Sequence, residues 1–194
     1  MTTPALVLVD IQQGFVEADY YGGHRNNPQA EKNAGRLLRA WRKKGWPVVH
    51  IHHHSTNPKS PLHFQKPGVE AHAEVVPLAG ETCFKKSVHS GFIENPLQTF
   101  LEENQISKLV FGGITTNHCV STNVRIANNL GFECLVITDA TAAFDQKGPQ
   151  GERIAAEMIH RVALASLQGE FAQLQTTEEL LTQIAAGEIP MANT

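Results

Sequence analysis

Three side chains of complementary chemistry stand beside apolar, strand-like runs. Asp10 closes "ALVLVD", Lys86 lies in "ETCFKKSV", and Cys119 follows "SKLVFGG" inside the segment "GGITTNHCVSTNVRIANNLG". A thiol attacks a carbonyl carbon only as the thiolate, so it needs a proton acceptor or a site that lowers its pKa. Cys119 falls where a turn rich in glycine and threonine gives way to a helix. The free N–H groups and the dipole of a helix start favour negative charge on sulfur and on a nearby oxyanion. Asp10 is placed to receive the thiol proton and to return it to a leaving amine. Lys86 is placed to hold that carboxylate and offset its charge. The spacing therefore predicts a catalytic set of Asp10, Lys86 and Cys119 built for acyl transfer.

These residues can converge only if their strands lie side by side and end at one rim. The order of elements predicts that arrangement. The continuous apolar run Ala5 to Asp10 reads as a buried central strand, "PVVHIHHH", "ETCFKKSV", "SKLVFGG" and "ECLVITDA" read as further strands, and "EFAQLQ" as a sixth. Helices alternate with them. One runs from about Pro28 to Lys44, with Asn27 as N-cap, Pro28 first and Gly45 as the stop. Asn95 and Pro96 open another, and the cysteine segment forms a helix ending at Gly131. A long helix is expected from about Gly151 to Leu167. "TTEELLTQIAAG" closes the chain, with Thr176 and Glu179 at capping-box spacing and Gly187 at its end. This alternation predicts an α/β fold: a three-layer αβα, Rossmann-like domain with a largely parallel six-stranded sheet, spanning 1–194 as one unit. The irregular stretch from Ser55 to Gly80 reads as a site-forming loop.

Composition narrows the partners. With 194 residues and a formal net charge of −3, the chain can bury one sizeable core and carries no basic footprint for nucleic acid or anionic membrane. No apolar stretch approaches the roughly 20 residues that span a bilayer, and the start "MTTPALVLVD" has no basic leader. The three cysteines lack framework spacing, which points to a reducing cytoplasm. Cys83 and Cys134 sit in strand-like surroundings and are expected to be inert core residues. A small-molecule substrate is the expected partner.

The segments "LVLVDIQQGFV", "KKSVHSGF" and "GGITTNHCVST" together resemble the signature segments of the isochorismatase-like cysteine hydrolase superfamily. "NLGFECLVITDATAAFD" and "HRVALASLQGEFAQLQTTEELL" extend the likeness over nearly the whole chain. The resemblance implies an Asp–Lys–Cys triad at Asp10, Lys86 and Cys119. It also implies a cis peptide between Ile114 and Thr115, and an oxyanion hole formed by the N–H groups of Thr115 and Cys119. The activity implied is hydrolysis of a small amide, carbamoyl or ureido compound through a thioester, with no cofactor. Enol-ether cleavage of an isochorismate-like compound is the alternative inside the family. Gln12, Phe15, His54, Ile114 and His118 are the implied substrate-binding residues, with Phe64 and His89 also near the pocket. Family members are commonly oligomeric, so a homo-oligomer of two or more copies is expected.

"HIHHHSTNPKSPLHF" raises a separate possibility, because His50, His52 and His54 alternate onto one strand face and imidazoles bind transition metals. Nicotinamidases of the superfamily carry an Asp–x–His metal motif in this stretch. Here the aspartate is missing, and a metal-free site is expected. Two readings outside the family are an inactive scaffold and a dinucleotide-binding protein. All three triad residue types are present, against the first. "VDIQQGF" stands where a Gly-x-Gly-x-x-Gly turn would be, against the second.

Overall fold

The run Ala5–Val9 (β1) is apolar at every position because both of its faces are covered. Ala5, Val7 and Val9 join one buried cluster, whereas Leu6 and Leu8 join another on the opposite side of the sheet. The computed structural model, which describes residues 3–188, 190 and 191, places β1 inside a six-stranded sheet. Its partners are Val48–His53 (β2), Thr82–Lys86 (β3), Lys108–Ile114 (β4), Glu133–Ala142 (β5) and Gln173–Gln175 (β8). Every pairing in this sheet is parallel, in the order β3-β2-β1-β4-β5-β8. A separate antiparallel hairpin joins Gln146–Lys147 (β6) to Arg153–Ile154 (β7). The outcome is the expected three-layer α/β architecture.

Two helical layers cover the sheet. On one side Ala30–Lys44 (α2) and Thr177–Ala185 (α6) contribute Leu37, Leu38, Trp41, Leu180 and Ile184. On the other, Leu97–Glu103 (α3), Ser121–Asn129 (α4) and Ala156–Leu167 (α5) contribute Leu97, Leu101, Val124, Leu164 and Leu167. A single turn of helix, Ala18–Tyr21 (α1), lies between β1 and α2. Among the described residues no helix is long and apolar enough to cross a membrane.

Several boundaries move for identifiable reasons. Helix α2 begins at Ala30, and Asn27 is not its N-cap. Asn27 adopts φ 43° and donates its amide to the carbonyls of Thr138 and Thr141, so it pins the incoming chain to β5. Gly45, at φ 65° and ψ 26°, ends the helix as expected. Helix α5 begins at Ala156 because residues 151–155 enter the hairpin. Asp145 caps that helix from a distance, accepting the Ala156 N–H at 2.8 Å. The Thr176–Glu179 capping box is formed. Cys134 is buried, but Cys83 is exposed. The core expectation for Cys83 fails because β3 is an edge strand whose alternate residues face solvent.

The chain builds β1, β2 and β3 outward in one direction, then returns to lay β4 against the free side of β1. Strand order thus reverses between β1 and β4, the place where α/β sheets open a crevice at their carboxyl ends. A tight backbone approach lies at that junction. Gly113 has φ 151°, and a Cβ there would sit 2.2 Å from the Val9 carbonyl oxygen. Only glycine lets β4 lie this close to β1. Gly113→Ala is expected to lower the unfolding free energy by more than about 3 kcal/mol, read as a lower urea midpoint. An unchanged midpoint would show that the junction tolerates separation.

Candidate active site

Asp10 is the first residue past β1. It takes a left-handed conformation at φ 54°, which aspartate tolerates better than most residues, and donates its N–H to the Ile51 carbonyl at 2.8 Å. The turn brings its carboxylate to the crevice. Lys86 ends β3, two strands away, opposite His53 in the parallel register. Two inter-strand spacings are roughly 10 Å, a gap that a long lysine stem crosses beneath the end of β2. Its ammonium donates to Asp10 Oδ2 at 2.7 Å, to His53 Nδ1 at 3.2 Å and to Cys119 Sγ at 3.4 Å. These three contacts use all three of its hydrogens. The ion pair is sealed from solvent, the Lys86 side chain being 0% and that of Asp10 1% exposed. Asp10 Oδ1 is buried without a hydrogen-bond partner among the described residues.

Cys119 arrives from the other side of the junction. The Ile114–Thr115 peptide at the end of β4 is cis, and the following five residues, Thr116–Val120, form one wide π-helical turn before α4 begins. The cysteine therefore sits in this wide turn and not in the first turn of α4 proper. Thr116 anchors the turn through Oγ1, 2.8 Å from His160 Nδ1 on α5. Asn123, fully buried, donates its amide to the carbonyls of Cys119 and His89 and accepts the Gly91 N–H. One side chain thus braces the cysteine turn against residues 89–91. His89 Nδ1 lies 3.7 Å from the sulfur.

The electrostatics follow from burial. Desolvation and then the Asp10 carboxylate push the Cys119 thiol well above its ordinary pKa, and Lys86 offsets only part of that rise. At neutral pH the sulfur therefore holds its proton until a base removes it. His53 is pushed below its ordinary pKa, first by burial and then by Lys86, which agrees with a neutral ring accepting at Nδ1. Burial and the neighbouring His89 lower His118 in the same direction.

The sulfur opens onto a cavity of about 210 Å³ lined by Asp10, Phe15, Tyr20, Tyr21, His53, Ser55, Ser60, Leu62, His89, Ile114, Thr115, His118 and Cys119. Phe15, Ile114, Thr115 and His118 thus line the cavity, and His89 lies against the sulfur itself. Gln12 and His54 do not line the cavity. The Gln12 amide is spent on backbone: it donates to the carbonyls of His53 and Val69 and accepts the His53 N–H. Gln12 braces the end of β2 and makes no wall. His54 lies past the last residue of β2, its N–H held by the Lys86 carbonyl at 2.7 Å. Phe64 is exposed and packs on His63. Strand alternation drew notice to the even-numbered histidines, whereas the odd-numbered His53 reaches the site. Its signal was the shared strand-end position with Lys86. Tyr20, Tyr21, Ser55, Ser60, Leu62 and the brace Asn123 were also missed.

Neither His50 nor His52 lines the cavity. His50 Nε2 lies 2.9 Å from Glu81, which also holds Arg42. Burial lowers the pKa of His50, and that of His52 beside it, the latter to about 4. Among the described residues no group of three or more His, Cys, Asp or Glu side chains is arranged to hold a metal ion.

Comparison with known proteins extends these observations. Residues 4–179 match the family model described as the isochorismatase domain. The chain is 41% identical to the uncharacterized isochorismatase family protein YrdC of Bacillus subtilis, over 91% of this chain and 94% of that protein. It is 34% identical to the ureidoacrylate amidohydrolase RutB of Methylobacterium radiotolerans over 50% of this chain and 34% of that one. A crystal structure of an isochorismatase-family protein from Chromobacterium violaceum superposes with a TM-score of 0.90 at 36% identity, covering 95% of this chain and 94% of that one. With a model match across most of its length, and relatives aligned nearly end to end, this chain belongs to the isochorismatase family of hydrolases.

Proposed function

We propose that the chain hydrolyses the carbon–nitrogen bond of a small amide, carbamoyl or ureido compound by way of a thioester on Cys119. The observation that carries this reading is the single buried Lys86 ammonium bonded at once to the Asp10 carboxylate and the Cys119 sulfur, both of which line one cavity. Resemblance to a ureidoacrylate amidohydrolase supports carbon–nitrogen chemistry. In acylation, Asp10 accepts the thiol proton as sulfur bonds to the carbonyl carbon, and its unpartnered Oδ1 is the available acceptor. The oxyanion is received by the N–H groups of Thr115 and Cys119, a contribution of roughly a hundredfold or more per donor. Lys86 keeps its charge throughout and compensates first the carboxylate, then the sulfur. Asp10 next protonates the nitrogen, the carbon–nitrogen bond breaks and the amine departs. Water then cleaves the thioester, releasing the acid and regenerating the thiol. No step requires a cofactor.

The walls argue for substrate size and charge. A cavity of about 210 Å³ lies below the 300–1,000 Å³ typical of drug-sized ligands, so the substrate is small. Phe15 and Tyr21, with ring centroids 4.6 Å apart, offer an aromatic surface. The lining contains Asp10 and lowered-pKa imidazoles at His53 and His118 but no arginine or free lysine. An uncharged amide meets this wall at less cost than a dicarboxylate such as an isochorismate-like compound, which would lose hydration without gaining a cation.

Cys119→Ala is expected to abolish amide turnover while preserving the fold, and mass analysis of the parent enzyme with substrate is expected to find an acyl adduct on Cys119. Full activity in the variant would refute the covalent route and leave the enol-ether reading standing. Asp10→Asn is expected to lower kcat by about 10²–10⁴-fold, measured on the same substrate.

The Cys119 variant also changes the pH profile of stability. A thiol whose pKa is higher folded than unfolded keeps its proton after the unfolded chain has lost its own, so stability falls as pH rises above about 8.5. Cys119→Ala removes that share of the alkaline loss. Urea midpoints are expected to decline less steeply in the variant between about pH 8 and about pH 10. Parallel declines in the two proteins would count against the buried thiol.

A further inference from the structure

Resting on the covalent reading above, we infer that His89 is the general base of deacylation: it takes a proton from the water that attacks the Cys119 thioester and returns it to sulfur. The argument starts from what each neighbour of the sulfur can still do. Lys86 has all three hydrogens committed, to Asp10, His53 and Cys119, and has no lone pair to offer. His53 accepts from Lys86 at the nitrogen nearest the site. Asp10 lines the cavity with its Oδ2 held by Lys86, and it carries the proton of acylation. Water enters this cavity from its solvent-facing mouth.

His89 stands on that side. It is exposed, it lines the cavity, and its Nδ1 is 3.7 Å from Sγ. The ring makes no other hydrogen bond among the described residues. His118, the other imidazole at the mouth, is engaged at both nitrogens, by Thr115 Oγ1 at 3.2 Å and by Gln146 Nε2 at 3.5 Å. Asn123 supplies the positional constraint, holding the carbonyls of His89 at 3.1 Å and Cys119 at 2.7 Å with one amide group. A base braced to the same anchor as the nucleophile keeps its distance from it through the cycle.

The step balances without an added reactant. A water oxygen bonds to the thioester carbon while one of its protons moves to His89 Nδ1. The tetrahedral adduct collapses, the carbon–sulfur bond breaks and its electron pair goes to sulfur. The proton on His89 then passes across 3.7 Å to Sγ, leaving a free acid, a neutral imidazole and the resting thiol. Asp10 thus serves acylation and His89 serves deacylation.

The test uses the full chain and p-nitrophenyl acetate, an activated ester that reports acylation as p-nitrophenolate release whatever the natural amide. In His89→Gln and His89→Ala, a rapid burst approaching one equivalent is expected, followed by a steady rate at least about 100-fold below that of the parent. Acetyl-Cys119 should accumulate by mass, and added imidazole should restore the steady rate of His89→Ala. A burst that slows in step with the steady rate, a steady rate equal to the parent's, or no response to imidazole overturns the assignment. Circular dichroism of both variants identifies a misfolded one, and the conclusion is drawn from the folded variant. Ester turnover that is undiminished in Cys119→Ala removes the covalent reading itself, and the assignment with it.

Discussion

A lone ammonium sealed from water is the constraint on which the rest of this site depends. Moving a lysine into the interior costs several kcal/mol unless an anion and further acceptors surround it. Here the acceptors are a carboxylate, an imidazole nitrogen and a sulfur, each from a different strand end. Removing the carboxylate leaves that charge buried without compensation, and removing either neutral acceptor leaves one of its hydrogens unbonded. Stability and chemistry are therefore held by the same contacts, and the groups cannot drift apart without unfolding the rim of the sheet. On the proposed route a thiol with a raised pKa needs no standing thiolate, because the carboxylate that would take its proton is fixed by the same cation that would stabilise the sulfur anion.

The sheet supplies this convergence through register more than through local sequence. Val9 pairs with both Ile51 and Gly113, and His53 pairs with Lys86, so the strands reach the rim together. The reversal of strand order between β1 and β4 puts Asp10 and the cysteine turn on neighbouring strands with no helix between them. Lys86 comes from the edge, and its length closes the remaining gap. A shorter cation at that position would stop under β2.

The sequence disclosed the parts of this arrangement that rest on strong local signals. Apolar runs marked the inner strands β1, β4 and β5, Gly45 and the Thr176–Glu179 pair marked helix ends, and residue type and position singled out Asp10, Lys86 and Cys119, which the fold brings together. What stayed hidden depends on contacts between distant segments. Asn27 looks like a helix cap but bonds across to β5, and Gln12 looks like a ligand contact but splints the backbone of His53. Parity at the end of β2 could not be read from three histidines in a row, His52 to His54, and it is the Lys86 ammonium from the neighbouring strand that engages His53. Asn123 carries no signal of its own. Its importance arises because two carbonyls and one N–H from two segments happen to meet it in the interior.

The cavity divides its labour between two kinds of backbone. Its reactive floor is attached to strand ends and the wide turn, whereas Phe15, Tyr20 and Tyr21 come from the segment after β1, and Ser55, Ser60 and Leu62 from the loop after β2. That second loop is internally tied: Ser55 binds Leu62 and Phe64 through backbone, and the Ser60 hydroxyl accepts the Leu62 N–H. Two loop segments thus flank a fixed cluster of Asp10, Lys86 and Cys119. Transplanting either one from a relative would reshape the cavity wall without displacing that cluster, so diversification of this scaffold can proceed by loop exchange.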